Sequence, residues 1–233
     1  MHTVPLREAN VVTGLLRLES NRFTRAVWAV PGVIAVTPVR DTDRVRVSSF
    51  IKDTYRRVYG ARIRVDYPNL ISLRDTDGRV AAAAGFRFAA LSPLFLEHYT
   101  GRPIDAILGV RRREIVEVGN LASLGSGLSV VLFAALASYL HGTGVSRVVI
   151  TSTDSLERRL SLLGLASQRI CEADPRRIAH TEEEWGTYYR RRPHVLAGRL
   201  DLAFERLTEL FGAGFFLNRP RLFPRLHCMG EGA

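Results

Sequence analysis

The segment 128–140 is apolar at nearly every position, and it directly follows a run rich in glycine. A helix that is apolar on all sides must be buried on all sides. The segment falls well short of the roughly 20 residues that a helix needs to cross a bilayer. The sequence therefore predicts a helix that is enclosed by other layers of the same fold rather than a membrane anchor.

Strand-like runs surround this helix. Two runs, 69–74 and 79–88, flank an Asp-Gly turn, which is the strongest short-range signal of a β-hairpin. A third run, 114–118, precedes the apolar helix, and further strands at 145–151 and 166–171 follow it with a helix between them. This alternation of strands and helices predicts an α/β fold.

The chain is expected to have three parts. Residues 1–47 form an N-terminal arm whose structure is uncertain, because Pro31 and Gly32 break its main apolar run. Residues 48–198 contain the alternating strands and helices. Residues 199–233 begin with an amphipathic helix, whose apolar positions recur at helical spacing, and end in a tail that carries Phe and Arg. We expect this last part to pack on or beside the α/β unit.

The basic residues argue less for a nucleic-acid partner than their number suggests. The 233-residue chain carries 33 Lys and Arg against 23 Asp and Glu, a net charge of +10, yet Lys52 is its only lysine. Such a ratio is typical of GC-rich coding, and no nucleic-acid-binding motif accompanies the arginines. No nucleic-acid partner is therefore predicted. An acidic partner remains open, because Arg binds phosphate through two parallel hydrogen bonds.

Neither the cysteines nor the amino terminus indicates export. Cys171 and Cys228 form no disulfide framework and no zinc-binding spacing. Arg7, Glu8 and Arg17 interrupt any apolar stretch that could serve as a signal peptide. We therefore expect a cytoplasmic protein without a bound metal.

The run between the third strand and the apolar helix can bind an anion. Leu124, Gly125, Ser126 and Gly127 end directly at the start of the helix, where backbone N–H groups and the helix dipole favour negative charge. The Walker pattern is absent, and Val130 stands where a dinucleotide-binding loop would have its third glycine. The Gly-Ser-Gly run is then either a tight turn before the helix or a loop that holds the phosphate of another kind of cofactor or co-substrate.

The order of these elements resembles that of GNAT-type N-acyltransferases over about residues 69–171. In those enzymes the equivalent loop holds the pyrophosphate of coenzyme A or the phosphate of phosphopantetheine. The resemblance implies a mixed, mostly antiparallel central sheet flanked by helices, followed here by a helical and aromatic C-terminal extension. It also implies that residues 48–198 form the catalytic domain. One position departs from the pattern, because Ala122 stands where the loop of the relatives begins with Gln or Arg.

Four blocks resemble the thermostable hemolysin family, and they come in the order of that family over most of the chain between residues 48 and 200. They read RVAAAAGFR at 79–87, PLFLEHY at 93–99, IVEVGNLA at 115–122 and WGTYY at 185–189. The name of the family records a haemolytic phenotype and states no mechanism. A membrane-active protein is therefore one alternative, with the amphipathic helix and the tail as its membrane-binding part.

The same blocks resemble acyl-homoserine-lactone synthases, which are relatives of the GNAT enzymes. Arg87 matches their arginine at the end of the second hairpin strand, and Glu117 matches the glutamate of their Glu-x-x-Arg motif. Asn120 stands in place of the arginine of that motif. This departure argues against S-adenosylmethionine as the acceptor. It leaves acyl transfer from a pantetheine thioester, carried by acyl-CoA or by an acyl-carrier protein, to an amine or amino-acid-derived acceptor.

Three residues are the catalytic candidates. Glu117 could remove the proton of the amine directly or through water, with its pKa raised by burial, or it could form a buried ion pair with Arg87. Asn120 could orient the acceptor, or it could be a turn or bulge residue beside Gly119. Backbone N–H groups at 120–122 could stabilise the oxyanion of the tetrahedral intermediate.

Other candidates concern the co-substrates. Thr151 and Thr153 could bond the amides of pantetheine or cap the next helix. Glu97 and Tyr188 are weaker candidates for contact with a substrate, and core packing is the alternative for Tyr188. The main prediction is an acyltransferase. A GNAT-like binding module without activity is the third alternative, which the departures at Asn120 and Ala122 favour.

Overall fold

The computed structural model describes residues 2–9, 11–19, 21, 31–125, 127–178 and 184–212. The strands within these ranges are β1 (His2–Glu8), β2 (Val11–Leu18), β3 (Val33–Pro38), β4 (Asn69–Arg74), β5 (Val80–Phe88), β6 (Ile115–Ser123), β7 (Arg147–Ser152), β8 (Ser167–Glu172) and β9 (His194–Arg199). The helices are α1 (Arg44–Tyr59), α2 (Glu97–Thr100), α3 (Ile104–Leu108), α4 (Leu128–Leu140), α5 (Asp154–Leu162) and α6 (Leu200–Phe211). Short 3-10 turns cover Arg112–Glu114, Pro175–Ile178 and Tyr188–Arg191.

All the described strands join one sheet in the order β2-β1-β3-β4-β5-β6-β7-β9-β8. Two neighbouring pairs, β1 with β3 and β6 with β7, are parallel, and the others are antiparallel. Helices cover both faces of this sheet. The predicted fold class, a mixed and mostly antiparallel sheet flanked by helices, is confirmed.

Helix α4 lies in the main core, as its composition predicts. It packs against β4, β5 and β6 on one side and against α6 on another. Helix α6 contributes Leu200, Leu207 and Phe211 to this core, so its apolar face is covered by protein. On the opposite face of the sheet, α1 packs on β4, β5 and β6 through Val47 and Ile51, among others. None of the helices in the described ranges has the length and apolar character that a bilayer crossing requires.

Three features of the fold differ from the sequence interpretation. The first helix begins at Arg44 rather than near Ser48, directly after Asp43, whose carboxylate accepts a hydrogen bond from Arg74 Nη1 at 2.7 Å. The arm contributes the hairpin β1–β2 and the strand β3 to the common sheet. Strand β9 was not foreseen, and it inserts between β7 and β8. The Phe-bearing tail, residues 213–233, lies outside the described residues.

The first hairpin also holds the end of the last described helix. The backbone N–H of Glu19, just after β2, donates to the carbonyl of Phe211 at 3.0 Å. The side-chain amide of Asn21 donates to the carbonyl of Leu210 at 2.9 Å. These two hydrogen bonds satisfy carbonyls that a helix C-terminus leaves without an internal partner.

The sheet opens between its two central parallel strands. Strand β6 pairs with β7 only over Ile115–Val118, and beyond that point it stays with β5 while β7 stays with β9. An irregularity in the β5–β6 register falls at the same place, and Asn120 there has φ of +49°. A bulge bends the strand that carries it. The result is a cleft between β6 and β7 that ends at the glycine-rich loop before α4.

Candidate active site

The cleft between β6 and β7 has a volume of about 720 Å³. Its walls come from α1, the loop before β4, the ends of β5, β6 and β7, the beginnings of α4 and α5, and the aromatic turn around Tyr188. Six residues predicted from the sequence line it, namely Arg87, Asn120, Gly125, Thr151, Thr153 and Tyr188. The fold therefore brings together residues that lie up to 101 positions apart in the chain, counting from Arg87 to Tyr188 (188 − 87).

Glu117 lies on the part of β6 that is still paired on both sides, and it is 1% exposed. Its two carboxylate oxygens accept hydrogen bonds from the backbone N–H groups of Phe95 and Leu96, both at 2.9 Å. Burial raises the pKa of this carboxyl, and the two backbone hydrogen bonds and the charge of Arg87 act in the opposite direction. Through these two hydrogen bonds, Glu117 on β6 holds the turn at residues 95–96 in place below the cleft.

Arg87 lies opposite Glu117 in the β5–β6 register, but its hydrogen bonds go to backbone carbonyls. Nη1 donates to Pro93 O at 2.9 Å, and Nη2 donates to Asp66 O at 3.0 Å. Its guanidinium carbon lies 5.1 Å from the centre of the Tyr67 ring, a cation–π arrangement. The Nε–H group is buried and has no protein partner among the described residues.

Glu97 has a structural environment away from the cleft wall. Its two oxygens accept from Arg112 Nη1 at 2.7 Å and Nη2 at 2.8 Å, which is a bidentate pair. The backbone N–H groups of Leu94 and Ile104 also donate to it, at 2.9 and 3.0 Å. Glu97 therefore closes the connection between β5 and β6, and its contact with a substrate stays a prediction.

We expect the Glu97 environment to make stability depend on pH. Burial raises the pKa of Glu97, but Arg112 and the two backbone donors outweigh this effect and bring the pKa down to about 2. A carboxyl with a lowered pKa stabilises the folded state above its unfolded pKa, and this stability is lost as pH falls. The free energy of unfolding, measured in urea, should therefore be higher for the wild type than for Glu97→Gln at neutral pH. The difference between the two proteins should disappear as the pH falls from about 4.5 to 2.

Asp53→Asn is the control for that experiment. Asp53 is exposed on α1 and pairs with Arg56 at the surface, so its loss should change stability little. If the free energies of unfolding of wild type and Glu97→Gln differ by the same amount down to about pH 2, the lowered pKa of Glu97 is not the source of the difference.

Asn120 is placed by the shape of the strand. Its positive φ lies in the left-handed region, which Asn adopts more readily than most residues other than Gly. Asn120 is therefore a bulge residue, at the point of β6 where pairing with β7 has ended. Its orientation of an acceptor stays a prediction, since the same position borders the cleft.

The glycine-rich loop meets the cleft at the start of α4. Gly125 has φ of +93° and Gly127 has φ of +77°, so both lie in conformations that favour glycine. Ser123 Oγ accepts the N–H of Gly125 at 3.1 Å and steadies the turn. Leu124 is exposed beside it, and Ser126 lies outside the described residues. Helix α4 begins directly after this loop, and two of its first N–H groups turn back onto the loop: Leu128 N donates to Gly125 O at 3.1 Å and Val130 N donates to Gly127 O at 2.9 Å.

Thr151 and Thr153 form the opposite wall at the end of β7. The hydroxyl of Tyr188 donates to the carbonyl of Thr151 at 3.4 Å, which ties the aromatic turn to this wall. The hydroxyls of Thr153 and Ser155 lie 3.2 Å apart at the start of α5. Thr153 precedes α5 but makes no side-chain capping hydrogen bond to the helix.

Tyr67 is a cleft residue that the sequence interpretation missed. Gly85 and Gly119 lie directly opposite each other on β5 and β6. A Cβ atom at Gly85 would fall 2.5 Å from Tyr67 Cγ, and one at Gly119 would fall 2.6 Å from Tyr67 Cζ and closer still to its hydroxyl. The Tyr67 ring therefore lies across the glycine pair. The signal was in the sequence, because glycine inside a strand marks a close approach by another group.

Aromatic side chains form the remaining wall. Tyr55 and Tyr59 of α1, whose part in the cleft was also missed, meet Tyr188 at ring distances of 6.1 and 5.2 Å. Trp185 packs on Tyr188 at 5.3 Å, and its buried indole N–H has no protein partner among the described residues. Tyr188 thus packs in an aromatic cluster and borders the cleft.

One cluster of potential metal ligands is found in the described residues, outside the cleft floor. One ligand atom each from Asp154, Glu157 and His194 lies within 4.8 Å of the others. Arg169 already contacts both carboxylates, at 2.7 Å for Glu157 and 3.7 Å for Asp154. A guanidinium in that position competes with a cation, so we assign no metal to this group.

Comparison with solved structures identifies the class of fold that contains this cleft. The AHL synthase LasI aligns with a TM-score of 0.54 and 15% identity, over 80% of this chain and 98% of that one. The structure of FeeM, an N-acyl amino acid synthase from uncultured soil microbes, aligns at 0.54 and 13%, over 73% and 98%. The CoA-dependent acyl-homoserine lactone synthase BjaI, with MTA, aligns at 0.54 and 13%, over 77% and 89%. The fold is therefore GNAT-like.

The family follows from the sequence itself. The family model described as thermostable hemolysin matches residues 37–204, and the chain belongs to that family. Both resemblances predicted from the sequence blocks are thus confirmed. Comparison with curated proteins finds no match.

Proposed function

We propose that the protein transfers an acyl group from a pantetheine thioester to an amine or an amino-acid-derived acceptor. One observation carries this proposal. The sheet opens between β6 and β7 directly before a glycine-rich helix start, and six residues chosen for acyl transfer line the resulting cleft. Along the cleft lie the glycine-rich loop, then the unpaired strand edges, then Arg87 and Asn120. A ligand with a phosphate, amides and a reactive carbonyl in that order matches this arrangement.

The donor fits the two walls. The glycine-rich loop and the start of α4 favour the phosphate of coenzyme A or phosphopantetheine. Beyond Val118 and Ile150 the facing edges of β6 and β7 no longer pair with each other. Backbone groups at such an edge need partners, and the amides of pantetheine can supply them. Thr151 and Thr153 add hydroxyl groups to one side of this path.

An apolar cavity of about 100 Å³ adjoins the cleft and suits the acyl chain. Its walls belong mainly to α4, β7, β9 and α6. Val118, Phe133 and Ile150 border both spaces, so an acyl chain entering from the cleft would pass between them. An apolar chain in this cavity gains free energy because its surface leaves water.

The acceptor would lie near Arg87 and Asn120, on the other side of the thioester. Arg87 Nε and Trp185 Nε1 are donors without a partner in the described part of the chain, and they favour an acceptor molecule that carries an oxygen group such as a carboxylate. Glu117 supports this part of the site by its charge and by holding the turn at Phe95. Direct proton removal by Glu117 would require the acceptor or a water to reach a carboxylate that is 1% exposed.

The electrostatics suit an anionic donor. Arg64 and Arg159 line the cleft in addition to Arg87, and the chain carries a net charge of +10. Positive charge at a cleft attracts phosphate and speeds encounter with an acidic carrier protein. An acyl-carrier protein is therefore proposed as a donor beside acyl-CoA.

Thiol release tests the proposal. Purified protein would be incubated with acyl-CoA and acyl-carrier protein of short, medium and long acyl chains, together with pooled amines and amino acids. We expect free thiol and a new N-acyl product, identified by mass spectrometry. Thioester binding without release would support the inactive binding module instead. No thioester binding at all would contradict the proposal and favour the membrane-active alternative, which leakage of vesicles would then test.

A further inference from the structure

We propose that the hydroxyl of Tyr67 donates a hydrogen bond to the carbonyl oxygen of the bound thioester and stabilises the oxyanion formed during acyl transfer. This inference rests on the proposed function and assigns a catalytic group to it. It starts from the glycine pair, which leaves room for a ring on the floor of the cleft only because neither Gly85 nor Gly119 has a Cβ atom.

The position of the hydroxyl is the first argument. Gly119 is the first residue of β6 beyond the last pair with β7, so it stands where the sheet opens. The Tyr67 hydroxyl is the atom closest to a Cβ built on Gly119, and Tyr67 and Gly119 both line the cleft. The hydroxyl therefore lies at the fork of the two strands, where a thioester that extends along the cleft from the glycine-rich loop would present its carbonyl.

The rigidity of Tyr67 is the second argument. Arg44 of α1 donates to the carbonyl oxygen of Tyr67 at 2.5 Å and to that of Val65 at 3.3 Å, which fixes the backbone. The ring lies on the glycine pair, and the guanidinium of Arg87 lies 5.1 Å from the ring centre. A donor that is held in place before the reaction requires no reorganisation as negative charge develops.

The state of the hydroxyl is the third argument. It has no protein hydrogen-bond partner among the described residues, although the Tyr67 residue is only 8% exposed. Burial raises the pKa of Tyr67 well above its usual value, and the charge of Glu117 adds to this effect. The phenol therefore stays protonated at neutral pH and can donate a hydrogen bond.

The reaction balances with the amine and the thioester alone. The amine nitrogen bonds to the carbonyl carbon, and the π pair moves to the oxygen, which accepts the hydrogen bond from Tyr67. When the carbonyl re-forms, the C–S bond breaks and its electron pair leaves on sulfur. The proton lost by the amine reaches the thiolate through solvent, and Tyr67 keeps its own proton.

Two measurements on Tyr67→Phe test the assignment. In the thiol-release assay we expect kcat to fall about 100-fold and KM for the thioester to rise by no more than about 10-fold, since the larger part of the lost interaction acts in the transition state. Tyr139→Phe removes a hydroxyl from a buried tyrosine of α4 that does not line the cleft, and it should leave kcat unchanged. The melting temperatures of both variants would show that they fold.

A binding measurement makes the test independent of the acceptor. Two coenzyme A analogues would be compared by calorimetry, a ketone in which CH₂ replaces the thioester sulfur, and the same molecule with CH₂ also in place of the carbonyl. Wild type should prefer the ketone by about 10-fold, the effect of one hydrogen bond, and Tyr67→Phe should lose this preference. If the preference or kcat survives in Tyr67→Phe, the assignment is wrong although the proposed function stands. If wild type binds neither analogue and turns over no thioester, the proposed function is wrong and the assignment with it.

Discussion

Glu117→Gln is expected to abolish acyl transfer and to lower the free energy of unfolding by about 2 kcal/mol. Both oxygens of Glu117 accept backbone N–H groups, from Phe95 and Leu96. A glutamine has one acceptor oxygen, so its NH₂ group would face the second N–H donor at a position that is 1% exposed. The turn at residues 95–96 would lose an anchor, and the negative charge opposite Arg87 in the β5–β6 register would be removed.

The experiment requires a folded variant and a matched change. Activity should be measured well below the melting temperature of Glu117→Gln, where circular dichroism shows native structure. Glu172→Gln, at an exposed position of β8, removes the same charge and should leave activity and stability close to those of wild type. Full activity of folded Glu117→Gln would contradict every role given to this carboxylate. Vesicle leakage that persists after loss of acyl transfer would show that lysis is a separate property.

Gly119→Ala is the second substitution with a large expected effect. The new methyl group would overlap the hydroxyl and Cζ of Tyr67, which Gly85 and the backbone contacts of Arg44 prevent from moving away. Overpacking of a close-packed site costs typically about 1–3 kcal/mol, and we expect the upper end of this range because the ring is held on several sides. Displacement of Tyr67 should also reduce acyl transfer about as strongly as Tyr67→Phe does.

A double-mutant cycle isolates the contact. Urea unfolding would be measured for Gly119→Ala in the wild-type background and in a Tyr67→Ala background, in which the ring is absent. The cost of the added methyl group should largely disappear in the second background, because the two residues are in contact. Gly198→Ala is the control, since its Cβ would lie 3.4 Å from Ala166 O, an ordinary contact. An equal cost of Gly119→Ala in both backgrounds would contradict the position of the ring.

The centre of the fold was predictable because its elements carry strong local patterns. The Asp-Gly hairpin, the all-apolar helix at 128–140 and the alternation around them specify their own structure. Together with the sequence blocks, they led to the confirmed fold class. The same patterns placed Gly125 and Asn120 at points where the chain must turn, and both have positive φ. The domain boundaries and the roles of the site residues stay predictions.

The missed elements depend on partners distant in the sequence. Strand β9 lies between β7 and β8, and the pattern of residues 194–199 alone does not predict this place in the sheet. Tyr67 lies in an irregular segment, and its place is set by two glycines on other strands. Such contacts are tertiary, so local propensity does not reveal them.

The hydrogen bonds from the first hairpin to the end of α6 also affect how the chain is made. Asn21 and Leu210 are 189 positions apart, so this closure forms only after nearly the whole described chain has left the ribosome. Contacts of such long sequence separation slow folding. Until α6 arrives, the side of α4 that it covers is exposed to water, and exposed apolar surface on a nascent chain invites aggregation. Helix α4, the most apolar of the described helices, thus remains partly uncovered until the last described element is synthesised.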